Sequence, residues 1–567
     1  MGARVGCGGR LVMDFDTMMG GRTAWGTNEA SPAQLAVVIA LPMLVIGTAA
    51  LVLWPSAGIE PVLYGSVGLV LAGLMLRVLH RYPWLASWGA VVIFCTSDEL
   101  RLRLTPVIGV AKDVFVVVLT LLVVVALFKH REMLDRLRPF TGSIATAGLL
   151  VGLYLVNPAG EYGAAWFYGS RLLFEVLALG LLGMLCIAPG TTSEHLVRAM
   201  TVMAPFEAVF SWLQQLAGAD GLTKLWAYKF GAQTRLTSDG GLRTSGTFDD
   251  PFQLAALGVL ATAVALFLAS RRQAQVLLIS VAAILVATSV RTAIVQVGVL
   301  LLVYAVRRGL RKQALALGLA TAVAGMFTLV STTASAIPGG PEELQVFSLN
   351  GRTTAWDQAV QGPTSLFTGN GVAVLGSGST RANQDLISAP PSLPASTDSP
   401  DGEQAGNSGF LDSSYAQVQS DVGIIGTLAL IGSMIGFAVV LGRRCFRTRD
   451  GATWAAFGIL AVSMIDWLGR SSLASYTTGF LTFYVLGVLI AASSPTDRGP
   501  SNGAEGPGEE PEGARGRPHP VGPPGAPTTP ITPARPPRNS LPRIDPPLSP
   551  KPRTSAAVPG QSSEARP

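Results

Sequence analysis

Apolar runs of membrane-crossing length recur along this chain, and they restrict its fold more than any other feature. A helix needs roughly 17 to 25 apolar residues to cross a bilayer's hydrocarbon. Stretches that fit or approach that length lie at 34–54, 61–76, 83–95, 106–128, 144–156, 172–187, 196–216, 252–269, 274–290, 292–306, 314–330, 422–440, 454–467 and 476–491. The segments at 274–290 and 292–306 read as a tight hairpin, and several of the others are short enough to be broken or re-entrant. With 49% of the residues hydrophobic and 13% charged, a single soluble core is excluded. The expected fold class is an all-α polytopic membrane protein, with about 12–14 transmembrane helices and one large extracytoplasmic loop.

Orientation follows from Lys and Arg in the short loops, which favour the cytoplasmic side. With the N-terminus inside, alternate loops on that side carry His80 and Arg81, then Lys129, Arg131, Arg136 and Arg138, then Arg271 and Arg272. Arg307, Arg308, Arg311 and Lys312 come next, followed by Arg443, Arg444, Arg447 and Arg449. Arg101 and Arg103 depart from the rule by falling outside. The resulting organisation is a cytoplasmic segment at 1–33, helices over 34–330 with an external connection at 217–251, an extracytoplasmic loop at 331–421, and C-terminal helices over 422–491. Residues 492–567 are rich in Pro, Gly, Ser, Arg and Glu, and are expected to form a disordered cytoplasmic tail. The stretch before Gln34 is too polar for a signal-peptide core, so the first span is expected to act as its own insertion signal. The expected location is the cytoplasmic membrane, multi-pass, with both termini inside.

Several chemistries are absent from the pattern. Cys7, Cys95, Cys186 and Cys445 show no metal or disulfide spacing. His80, His130, His195 and His519 all map inside, which removes an external His base, an HExxH site and a Ser/His pair. A Rossmann fingerprint and a P-loop are missing, and no cofactor, metal or nucleic-acid partner is expected. Adjacent Asp249 and Asp250 suggest a metal pair only weakly.

The outer face is rich in arginine. Arg171 opens one span, Arg243 lies in Gly241-Leu242-Arg243-Thr244-Ser245-Gly246-Thr247-Phe248, Arg291 occupies the tip of the short hairpin, and Arg352 comes early in the large loop. Interfacial arginines often only anchor helix ends. As a set facing one cavity, their planar forks suit a phosphate or diphosphate. Trp356, at helical spacing from Val360, reads as loop core ahead of sugar platform, and Tyr415 as a sugar contact or a headgroup-boundary residue. Gly369-Asn370-Gly371 reads as a turn, and 388–407 as a Ser- and Pro-rich excursion.

The order of short motifs carries a resemblance. Gly351-Arg352-Thr353-Thr354-Ala355-Trp356, Leu366-Phe367-Thr368-Gly369-Asn370-Gly371-Val372, Leu411-Asp412-Ser413-Ser414-Tyr415-Ala416-Gln417 and Gly423-Ile424-Ile425-Gly426 resemble the large-loop signature of the O-antigen ligase and polymerase superfamily. Upstream, the stretch from Arg243 to Pro251 resembles that family's Gly-Thr-Phe-x-x-Pro segment, and Ser289-Val290-Arg291-Thr292 its Ser-x-Arg helix tip. The resemblance covers about 171–426. It implies a membrane glycosyltransferase that polymerises or transfers undecaprenyl-diphosphate-linked glycans outside the cytoplasmic membrane, during cell-surface polysaccharide synthesis. The implied partners are that donor, a glycan or lipid-glycan acceptor, the bilayer and other polysaccharide-assembly proteins. The ligase branch carries His-Asn where this chain has Asp412 and Ser413, which favours the polymerase-like branch.

The expected reaction is metal-independent and inverting. An acceptor hydroxyl attacks the anomeric carbon while Arg171, Arg243, Arg291 and Arg352 stabilise the departing diphosphate. Asp412 is the candidate base or hydroxyl-orienting group, alongside its ordinary reading as a helix cap. Trp356 and Tyr415 are the candidate sugar contacts. Lys112, Asp113, Glu175, Glu207 and Asp466 fall within spans and support the rival reading, a secondary transporter or flippase for a lipid-linked sugar. A non-catalytic scaffold that recruits partners through its tail is a third reading.

Overall fold

The computed structural model describes residues 72–103, 110–158, 160, 162, 164–226, 235–236, 242–248, 250–310, 318, 363–372, 413–448, 450–470, 472–475 and 477–494. Arg352, Trp356, Asp412 and Asp249 lie outside them, as do the segment at 34–54, all of 314–330 except residue 318, most of the large loop, and both terminal segments.

The described chain is mainly helical. In order it forms α1 (Leu85–Arg103), α2 (Val110–Lys129), two short 3-10 turns (Arg131–Arg136 and Arg138–Phe140), α3 (Thr141–Val156), α4 (Ala164–Met184) and α5 (Pro189–Trp226). A two-stranded antiparallel ladder, β1 (Arg235–Leu236) and β2 (Leu242–Arg243), precedes α6 (Pro251–Phe267), α7 (Arg271–Thr288) and α8 (Arg291–Arg307). Then follow α9 (Pro363–Thr368), α10 (Ser414–Thr448), α11 (Gly451–Gly469), α12 (Ser472–Ser475) and α13 (Thr477–Ala492).

Five of these segments are long and apolar enough to cross a membrane: Arg131–Val156, Pro189–Gly218, Arg271–Thr288, Ser414–Thr448 and Gly451–Leu468. Leu85–Ser97, Pro251–Phe267 and Thr477–Ala492 are apolar but shorter. Helix α2 is rich in Val, a residue of modest helix propensity in water. In hydrocarbon the backbone must satisfy its own hydrogen bonds, so a helix is what such a run forms. Ile279, Val286 and Val209 are each more than 60% exposed, as suits side chains that face lipid.

Helix α13 is the hub. It has no charged residue, is buried along almost its whole length, and packs on α1, α4, α5, α6 and α11. Its closest approach is to α4, where small residues allow backbone contact: a Cβ on Gly183 would lie 2.5 Å from the Tyr484 carbonyl oxygen. Gly487 meets Gly180 in the same way.

The structure moves several expected boundaries. Helix α4 starts at Ala164, so Arg171 sits about two turns inside it and does not open it. Residues 414–421, expected within the large loop, form the first turns of α10, which continues across a break at Gly423 (φ 74°, ψ −171°). Helix α5 runs on past Gly218 (φ 67°, ψ 176°) into the expected external connection. The turn between α7 and α8 is as short as expected, with Ser289 left-handed at φ 51°. Its arms share α6 but differ in their other partner: α7 lies also on α5, and α8 on α11.

Contacts between elements sort the helix termini into two ends. At one end Arg136 donates to the Cys186 carbonyl at 2.7 Å, Arg307 to the Phe267 carbonyl at 3.4 Å, and Arg444 lies 5.0 Å above the Phe140 ring. His195 stacks on Trp84 there, with ring centroids 4.2 Å apart. Arg271 and Arg272 open α7 beside Phe267, so the arginines of alternate loops share this basic end. The opposite end gathers the termini described next.

Candidate functional site

Four polar clusters occupy that opposite end, and each joins elements distant in sequence. In the first, Lys112 of α2 lies 3.0 Å from Glu175 and 3.2 Å from Asp113. Arg171 of α4 pairs with Glu175 at 2.7 Å and with Asp113. The Lys112 ammonium also lies 4.6 Å from the centre of the Phe480 ring on α13. Two cations and two carboxylates cancel, the arrangement by which charges survive among helices.

The second cluster centres on Asp466 and Arg470 at the end of α11, whose side chains are only 9% and 6% exposed. Arg470 Nε lies 3.2 Å from Asp466 Oδ1. Gln296 and Ser472 each donate to the carboxylate at 2.6 Å. The guanidinium donates to Thr292 of α8 and to the Phe252 carbonyl, and covers the Phe252 ring. The Arg470 carbonyl accepts from the Ser414 amide and hydroxyl, which fixes the start of α10. Beside this pair a cavity of about 50 Å³ is lined by Asp466, Gln296, Ser472 and Thr478, enough for a few waters.

The third cluster is the turn at 244–248, which is buried and carried on α5. Gln214 clamps Gly246 with two bonds, donating to its carbonyl at 2.7 Å and accepting from its amide at 2.9 Å. Gln215 donates to the Leu242 and Ala287 carbonyls. Thr244 also donates to Ala287, four residues before Arg291. Arg243 is therefore held beside the α7–α8 turn, and Arg291 is the exposed first residue of α8, where the helix end adds positive potential.

In the fourth cluster, the Tyr154 hydroxyl donates to the Asp421 carboxylate at 2.7 Å, and both residues are buried. Asn370 donates through its amide to the Ser420 carbonyl at 2.5 Å, and Asn157 accepts from the Val372 amide at 3.3 Å. Gln419 donates to the Leu366 carbonyl at 2.9 Å. Together these bonds lay the 363–372 piece of the large loop against the break at Gly423, where a Cβ would collide with the Phe367 carbonyl. Gly369-Asn370-Gly371 is a turn, with φ 77° at Gly369 and 110° at Gly371.

The sequence-derived candidates divide accordingly. The stretch that carries Arg243 is tied to the Ala287 carbonyl, four residues before Arg291, and Arg243 Nε is buried with no hydrogen-bond acceptor among the described residues. Arg171 belongs to the neutral four-residue cluster. Tyr415 is 4% exposed, with its hydroxyl donating to the Met464 carbonyl and its ring against Trp467, so it lies in the packing between α10 and α11. Asp250 caps α6 by accepting from the Phe252 amide at 2.7 Å. Among the described residues no three His, Cys, Asp or Glu side chains gather as a metal site.

Sequence reading gave no role to Arg470 or Asp421. A signal existed for Arg470, since Asp466 and Arg470 are four apart on one helix face, as are Arg171 and Glu175. No protein-family model and no curated protein matches this chain.

Proposed function

We propose that the chain is a multi-pass membrane glycosyltransferase that polymerises or transfers glycans carried on undecaprenyl diphosphate. The observation that carries this reading is the buried Arg243 Nε, without a hydrogen-bond acceptor among the described residues, on a strand tied to the end of α7 just before Arg291 at the polar end of an apolar bundle. A guanidinium with a spare donor near a helix N-terminus suits a diphosphate. The motif resemblance supplies the substrate class and the reaction. On this reading the polar end faces outward and the basic end faces the cytoplasm.

In the reaction, the acceptor hydroxyl oxygen forms a bond to the anomeric carbon as the bond from that carbon to the diphosphate breaks. Negative charge grows on the departing diphosphate, and Arg243 and Arg291 stabilise it. The hydroxyl proton passes to a carboxylate, for which Asp412 remains the candidate. Arg171 supports the site indirectly, through the neutral cluster between α2 and α4.

Glycan transfer by purified full-length protein in lipid, with the producing organism's own undecaprenyl-diphosphate glycan, tests the proposal. Chain growth or transfer that survives EDTA and falls by about 100-fold in Arg243→Ala and Arg291→Ala is the expected result. Movement of intact donor across the bilayer without new glycosidic bonds would overturn it in favour of a flippase.

A further inference from the structure

We infer that Glu207 is a neutral carboxylic acid whose proton fastens the turn that carries Arg243. Glu207 lies on α5 and is fully buried. One carboxyl oxygen, Oε2, accepts from the Thr247 amide at 3.0 Å. The other, Oε1, is in hydrogen-bond contact with Thr247 Oγ1, which also lies 2.6 Å from the Cys95 carbonyl oxygen.

A threonine hydroxyl has one hydrogen, and a carbonyl oxygen only accepts. If that hydrogen goes to Cys95, the contact with Glu207 needs a hydrogen supplied by the carboxyl group. If it goes to Glu207, the Thr247 and Cys95 oxygens face each other at 2.6 Å with nothing between them. Only the protonated acid satisfies both contacts at once.

The helices α6 and α13 packed on α5 carry no charged residue, and α7 carries only Arg271 and Arg272 at its opposite end. Across the interface stands the buried thiol of Cys95 on α1, followed along that helix by Asp98, Glu99, Arg101 and Arg103. Asp250 and Arg243 flank the turn itself. Gly246, at φ 63°, leaves the space that the carboxyl group occupies.

Glu207 is thus a positioning residue that acts on Arg243 through Thr247 and Gly246. Its effect on transfer rests on the diphosphate reading of Arg243, whereas its protonation does not. Infrared difference spectra of the full-length protein in lipid, compared between wild type, Glu207→Gln and Thr247→Val, test the proton directly. The expected result is a carboxylic-acid carbonyl band at neutral pH that disappears in Glu207→Gln and shifts in Thr247→Val. In transfer assays Glu207→Ala should raise the donor KM on the order of tenfold, and Glu207→Gln should restore most of that loss, because an amide can both donate and accept here.

Absence of the band, together with a Glu207→Gln protein as unstable to heat as Glu207→Ala, would overturn the inference. If the wild type transfers no glycan at all, the enzymatic reading falls, while the band still decides the proton.

Discussion

At the basic end of the bundle, Arg136, Arg307 and Arg444 rest on backbone carbonyls and aromatic faces; at the polar end, Lys112, Arg171 and Arg470 are held by carboxylates. The first arrangement leaves positive charge in excess, which suits an interface with water and lipid headgroups. The second cancels charge locally, because it sits between packed helices where solvent screens an ion poorly. Polar groups within the span of an apolar protein are thus of two kinds: those that set where the protein sits, and those that tie helices together. Arg243 fits neither: its buried Nε has no hydrogen-bond acceptor among the described residues.

Breaking the polar end where it is driest gives the largest expected effect. Arg470→Met strands the buried Asp466 carboxylate and should destabilise the fold by about 3–5 kcal/mol, read from denaturant or thermal unfolding in detergent. The double variant Asp466→Leu with Arg470→Met should recover much of that loss, and failure to do so would show that the pair matters for its bonds to Thr292 and Ser472 rather than for charge balance. Glu175→Ala comes next: its cluster is 12–29% exposed, so some water reaches the stranded Lys112 and Arg171, and about 1–3 kcal/mol is expected.

The basic end should give the smallest effect. Burial first, and the nearby Lys129 charge second, hold His80 below its ordinary value of 6.5. The folded state therefore binds the His80 proton less readily than the unfolded chain. That contribution to stability is fully present above about pH 6.5 and is lost as pH falls through the lower folded value. A small decline in melting temperature below that pH, flattened in His80→Gln, is the expected outcome.

Most helices were legible because their apolar runs are continuous. Segments such as 252–269 and 292–306 match α6 (Pro251–Phe267) and α8 (Arg291–Arg307) to within a turn. The misread boundaries lie where helices carry polar residues inward. The first turns of α10 bear Gln417, Gln419, Ser420 and Asp421, which hydropathy assigns to a loop and the structure buries. Partner choice was invisible for a different reason. Nothing local in the sequence says that Arg171 will meet Asp113 or that Tyr154 will meet Asp421, because those pairings are created by helix packing. That the stretch carrying Arg243 is tied to the end of α7, four residues before Arg291, is likewise a product of packing.

The hub position of α13 also bears on how the protein is made. Among the described helices it leaves the ribosome last, yet α1, α4, α5, α6 and α11 all pack against it. During synthesis those earlier helices must wait in the bilayer with their facing surfaces covered by lipid, including the glycine surface of α4 at Gly180 and Gly183. Completion is therefore a late insertion into a waiting cradle, and a ribosome stalled before α13 would release a bundle without its centre.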